Sequence, residues 1–239
     1  MDESPTSLNA PTTFGPYSAT ILATEHWSLL GTRSMAWNEA FTRTTIFLNA
    51  LSASVVALAL VADATGFDDS FTRFALFLFP IVFFLGVTTF IRVVQINEED
   101  IFVVLAMNRL RRAYLDMSPE LDPYFTAGSH DDEAGLWIIY LMGQTRNSSP
   151  LLHFFVTTPT LLATLDAILA GAWVTLLASH NDVSGGLLAV ISGLSVILVW
   201  FALFNLQWRA VREIRGMQGT RFPSPQTTEA ANGGSAELL

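Results

Sequence analysis

The chain has 239 residues, of which 51% are hydrophobic and only 14% charged, against about a quarter charged in ordinary globular domains. A net charge of −9 excludes the basic surface that nucleic acid would need. With no cysteine present, disulfides, thiolate metal sites and cysteine nucleophiles are excluded as well. All twelve basic residues are arginine, a bias expected of a GC-rich bacterial genome.

Residues 1–20 open on Met1-Asp2-Glu3-Ser4-Pro5, without the positive start and short apolar core of a secretory signal. They read as a disordered tail, with insertion directed by the first transmembrane helix. In residues 21–44, Trp27, Leu30, Ser34, Trp37 and Phe41 recur at heptad spacing. Thr24 is a plausible N-cap and Glu25 lies in the first turn. The segment reads as a cytoplasmic amphipathic helix, lying on the membrane surface or docked on its own protein.

Four apolar blocks follow, each long enough to cross a hydrocarbon core that needs about 20 helical residues. They run over residues 45–62, 74–91, 151–179 and 187–206, and none holds an internal arginine. Backbone groups in lipid must be satisfied within the segment, so the blocks are helices rather than strands. Pro80 and Pro159 are tolerable there and are expected to kink their helices. The blocks pair as two hairpins, within residues 45–95 and 151–207.

Eleven of the twelve arginines lie in the N-terminal segment, the middle loop and the C-terminal segment; only Arg73 lies in a short hairpin loop. That bias places both termini and the middle loop in the cytoplasm, with the protein in the cell's inner membrane. The middle loop, 96–150, reads as helical. Asn97 caps a separate helix from Glu98 to Leu115, with a continuous extension of the second span as the alternative. Ser118-Pro119-Glu120 starts a short helix, and Leu136–Met142 forms an apolar run too short to span. After the fourth span, Arg209, Arg212 and Arg215 share one helical face; beyond about Met217 the chain reads as disordered.

Asp166 is the only ionisable side chain well inside a span, and such acids usually face the bundle interior or water. Its face carries Pro159, Ala163, Ala170 and Trp173, small enough in part for another helix to approach. Ser52, Ser54, Ser192 and Ser195 are expected at similar depth. With no cation there, the acid is expected to rest protonated. Two readings follow, an ion or proton path, and a neutral acid hydrogen-bonded to serine as helix glue.

Ser129-His130-Asp131-Asp132-Glu133 reads as capping rather than a metal site, because consecutive loop residues rarely converge on one ion. Asn97–Asp100 reads the same way. His26, His153 and His180 lie near membrane boundaries without ligand spacing. Arg109, Arg111, Arg112, Arg209, Arg212 and Arg215 are candidates for anionic lipid head groups, or simply enforce topology. Gly185, Ala189 and Gly193 form a small-residue stripe for helix packing. No phosphate loop, nucleophile elbow or metalloprotease motif occurs, so neither an enzyme nor a cofactor is expected.

Glu25-His26-Trp27-Ser28-Leu29-Leu30, Trp37-Asn38-Glu39-Ala40-Phe41 and Asn108-Arg109-Leu110-Arg111-Arg112-Ala113-Tyr114 resemble segments of uncharacterised four-span membrane proteins of GC-rich bacteria. The resemblance covers roughly residues 20–215 and implies the fold only. The layout is also similar in architecture to small membrane effectors of antiphage systems. The fold expected is an all-α membrane bundle of four spans with cytoplasmic amphipathic helices. The function expected is non-enzymatic: a self-associating protein with a pore or ion path near Asp166. The alternative is an anchored interaction module whose cytoplasmic helices capture a protein partner.

Overall fold

The computed structural model describes residues 14–140, 157–179, 185–217 and 219–225, and among them the chain is all-helical. Helix α1 spans Ser18–Thr65 and α2 spans Asp69–Met117, with 48 and 49 residues. A 3₁₀ turn, Pro119–Tyr124, leads toward α3, Glu133–Tyr140. Helix α4 covers Thr158–Ser179 and α5 covers Gly185–Met217. Each of α1, α2, α4 and α5 is long and apolar enough to cross a membrane. Residues 1–13, 141–156, 180–184, 218 and 226–239 lie outside the described residues. With them go Arg146, the first residues of the third apolar block, His153 and His180.

Local chemistry sets the first hairpin. Gly66 adopts φ +67°, and its amide returns to the Ala62 carbonyl at 2.8 Å. This left-handed cap stops α1 because glycine has no Cβ to clash there. Asp68 then accepts hydrogen bonds from the amides of Ser70 (2.8 Å) and Phe71 (3.1 Å) and starts α2.

Two expected boundaries are overturned. The first helix begins at Ser18 and runs unbroken into the first apolar block, so residues 21–44 are not a separate surface helix. Thr24 is interior, its hydroxyl donating to the Thr20 carbonyl. Likewise Glu98–Leu115 continues α2, as the alternative reading had it, and Asn97 is interior to that helix. The physical reason is lateral. Arg92, Glu99 and Asp100 spend their hydrogen bonds on ion pairs within the hairpin, not on helix ends. At about 1.5 Å per residue, both helices reach about 70 Å, more than twice a hydrocarbon core. Their polar halves, residues 18–44 and 92–117, form a two-helix stalk.

Pro80 sits inside α2 without ending it. Pro159 is buried in the first turn of α4, where a missing amide costs no helical bond, rather than kinking a span. The proline-led turn after Met117 forms as the sequence suggests.

The central element is α2. Helix α1 packs along one side of it and α4 along another, α3 lies on its stalk half, and α5 packs mainly on α4. Phe47, Val82, Phe90, Val93, Ile96, Leu162 and Ala163 form the shared core. Apart from this seam, the apolar halves of α1 and α5 are largely uncovered.

Candidate functional site

Asp166 on α4 is fully buried, and neither carboxyl oxygen has a hydrogen-bond partner among the described residues. Pro159, Ala163 and Ala170 on the same face are buried too, so α4 presses its small-residue face on α2. The residue opposite is Gly86. A Cβ there would overlap Oδ1 of Asp166 and approach the Phe47 ring of α1 at 2.8 Å. The acid is thus sealed among three helices, by a glycine on one side and apolar side chains on the others.

The four serines do not join it. Trp200 donates to Thr164 (3.2 Å), which sets α5 residue 200 level with α4 residue 164. Ser192 accepts from Thr175 at 2.7 Å and itself donates to the Leu188 carbonyl. Thr175 lies nine residues beyond Asp166, about 13 Å along the helix. Ser195 borders an apolar groove of about 330 Å³ with Val174, Ile191 and Leu198. Since Phe47 is level with Asp166, Ser52 and Ser54 lie about 8 and 11 Å farther along α1. Ser52 is exposed, and Ser54 donates to the Ala50 carbonyl. Among the described residues no serine partners Asp166, and of the four only Ser195 stays within about one turn of its depth.

The stalk holds the denser chemistry, which the sequence reading missed. Asp100, 2% exposed, accepts four hydrogen bonds. Arg33 gives two, Nε to Oδ1 at 2.6 Å and Nη2 to Oδ2 at 3.1 Å. Trp37 Nε1 gives another at 3.0 Å, and the Tyr140 hydroxyl gives the fourth at 2.6 Å. One carboxylate thereby joins α1, α2 and α3. Burial, then the Asp100 carboxylate, push the Tyr140 hydroxyl pKa upward. Burial works against the charge on Arg33, but its bond to Asp100 wins and raises its pKa.

Two turns nearer the apolar half, Arg92 grips Glu39 bidentately, both bonds at 2.9 Å, and reaches Glu99 at 2.8 Å. Arg43 adds a third bond to Glu39 at 2.8 Å. The Arg92 and then Arg43 hydrogen bonds hold the Glu39 carboxyl down to about 2.

Farther out, Asn108 is fully buried and donates to the carbonyls of His130 (2.8 Å) and Gly135 (3.4 Å). Its oxygen accepts from Arg111 at 2.7 Å. Burial, then the nearby Arg33 charge, lower the pKa of Arg111. Arg112 pairs with Asp116 at 2.9 Å, and Arg109 with Asp131 at 2.7 Å. Arg209 and Arg212 are exposed, and Arg212 lies 5.3 Å over the Trp208 ring. The Arg215 side chain lies outside the described residues.

The loop before α3 does cap a helix: Asp132 Oδ1 accepts from the Gly135 amide at 2.9 Å. Among the described residues no group of acids and histidines could hold a metal ion. Asp131 and Asp132 also bind residues 219–225, so that stretch is not structureless as expected; 218 and 226–239 lie outside the described residues. Gly185, Ala189 and Gly193 are exposed and take no part in the α4–α5 contact. That contact uses Gly171, against which Val196 lies directly.

Comparison with known protein families, with curated proteins and with solved structures finds no match.

Proposed function

We propose that the four apolar helices anchor the chain in the inner membrane with both termini cytoplasmic, and that the stalk is its working part, pairing with the stalk of a second copy. The reading is non-enzymatic, and the arginine distribution supports the orientation. One observation carries it. Trp27 and Leu30 stand 73% and 42% exposed on α1, about 27 and 22 Å along the helix from Thr45, where the apolar block begins. The head-group layer adds only about 5–8 Å beyond the hydrocarbon core. An apolar stripe held that far out in water faces protein, not lipid.

The occupant follows from spacing and charge. Trp27, Leu30, Ser34 and Phe41 keep a coiled-coil seam's register, and copies inserted in one membrane present it in parallel. The neighbouring charges are satisfied within each copy, Arg33 by Asp100 and Glu39 by Arg92, so like surfaces meet without repulsion. The exposed small-residue stripe on α5 gives a second apolar surface of the same kind. On this reading Arg109, Arg111 and Arg112, about 26–30 Å along α2 beyond Arg92, serve the stalk rather than lipid head groups. Arg209 and Arg212 stay candidates for head groups.

The absence of native cysteine makes cross-linking clean. Ser34→Cys and Trp27→Cys, treated with a short bismaleimide in native membranes, are expected to give dimers, and Gln95→Cys on α2 is not. Monomers at both seam positions, together with a monomer by native mass spectrometry from nanodiscs, would overturn the reading.

A second reading, a proton or ion path, rests on the unpartnered oxygens of Asp166. Liposome flux lost in Asp166→Asn with folding intact supports it; no flux in either protein sinks it.

A further inference from the structure

Residues 219–225 run from the end of α5 onto the loop before α3, more than eighty positions back along the chain. Backbone groups of the strap meet the side chains of Arg109, Asp131 and Asp132. Asp131 accepts from the amides of Arg221 (3.1 Å to Oδ1, 3.0 Å to Oδ2) and Phe222 (2.7 Å), and its own amide donates to the Phe222 carbonyl at 3.2 Å. Asp132 Oδ2 accepts from the Ser224 amide at 2.6 Å. Arg109, already paired with Asp131, donates from Nη2 to the Gly219 carbonyl at 3.0 Å. Asp131 and Asp132 are 1% and 6% exposed.

The ligand side is matched to this cradle. Amides at 221, 222 and 224 each meet a carboxylate, while the intervening Pro223 has none to satisfy. Proline also presets an extended backbone, which lowers the entropy lost on docking. Phe222 is half-buried and Ser224 buried, but Thr220, Arg221, Pro223 and Pro225 are exposed, so the strap covers only a small apolar surface. Charge-assisted hydrogen bonds hold the segment, and without a packed core it opens locally at a cost well below global unfolding.

We infer that Arg109, Asp131 and Asp132 form a binding site for an extended peptide segment, occupied by the chain's own residues 219–225 as a releasable latch that ties the end of α5 to α2. Helix α5 otherwise packs mainly on α4. The strap therefore adds a second attachment at the stalk end, and opening it frees that end of α5. The inference stands whether or not two copies pair.

Hydrogen–deuterium exchange on the full chain in nanodiscs tests it. In the wild type at neutral pH, peptides covering 219–225 exchange about tenfold or more slower than an unstructured chain. Asp131→Asn abolishes that protection and speeds exchange across 207–217, while the α1–α2 seam is unchanged. Arg221→Pro, which removes one amide donor and leaves the cradle intact, does the same and decides the matter if Asp131→Asn misfolds. An unprotected strap in the wild type overturns the site. A strap released by Arg221→Pro with no change across 207–217 overturns the latch.

Discussion

Asp166 on α4 and Gly86 on α2 lie in direct apposition, with no space for a methyl group between them. Helix α4 approaches α2 closely because small residues line both sides, Gly86 on one and Ala163 and Ala170 on the other. Gly86→Ala therefore forces its Cβ into a carboxyl on one side and an aromatic ring on the other. Overpacking of this kind costs about 1–3 kcal/mol, read as a lower thermal midpoint in detergent. The double variant Gly86→Ala, Asp166→Ala is expected to recover part of the loss, the Phe47 ring still crowding the new Cβ. If the double variant is no more stable than Gly86→Ala alone, the apposition does not hold.

The buried Asp100 carboxylate makes a second, sharper prediction. Removing one partner of a buried ion pair costs about 3–5 kcal/mol, because the other charge is left uncompensated. Asp100→Asn strands Arg33 and weakens the Tyr140 bond, so it falls near the lower end of that range, since Arg33 is partly exposed. Tyr140→Phe removes one hydrogen bond to a charged group, worth about 1.5–3 kcal/mol. A thermodynamic cycle over Arg33 and Asp100 should show strong coupling. Additive effects at these two positions would contradict the geometry.

Acid stability has a determinate sign. The folded Glu39 carboxyl titrates near 2 against an ordinary 4.5, held down by Arg92 and then Arg43. Its contribution is thus complete above 4.5 and is lost as pH falls from there through about 2. Glu39→Gln is expected to flatten the part of the melting-temperature profile between those values. Glu39 is partly exposed, so added salt should shrink the same difference. An identical slope in wild type and variant would remove Glu39 from the acid transition.

The long apolar blocks could be read directly, because hydrophobic runs of that length have few soluble alternatives. Asp166 also stood out as the lone acid within them. What could not be read was which side chains meet across the chain. Asn97-Glu98-Glu99-Asp100 looks like a helix start by local rules, yet its acids answer Arg33 and Arg92 within the hairpin. Asp131 looks like part of a capping run, and its decisive partners lie ninety positions later in the strap. Local propensity scores a residue against its neighbours. A helix that continues on lateral ion pairs carries no local mark of having done so. The heptad stripe on α1 was visible, and docking on its own protein was one of its two readings; what local rules did not show is that the helix runs unbroken into the first span.

Stability measurements decide whether Asp166 is structural glue. Its oxygens make no hydrogen bond among the described residues, so Asp166→Asn removes no bond and keeps the volume. Loss of stability should stay within about 1 kcal/mol, well short of the cost of breaking a buried pair. A glue role would demand more, since removing a satisfied buried group leaves its partner exposed to the full desolvation penalty, about 1–3 kcal/mol. The measurement is chemical or thermal unfolding of Asp166→Asn beside Thr175→Val. Thr175 does bridge α4 to α5 through Ser192, so its removal is expected to cost more than that of the acid. The reverse order would give Asp166 a partner this geometry lacks and return it to the role of helix glue.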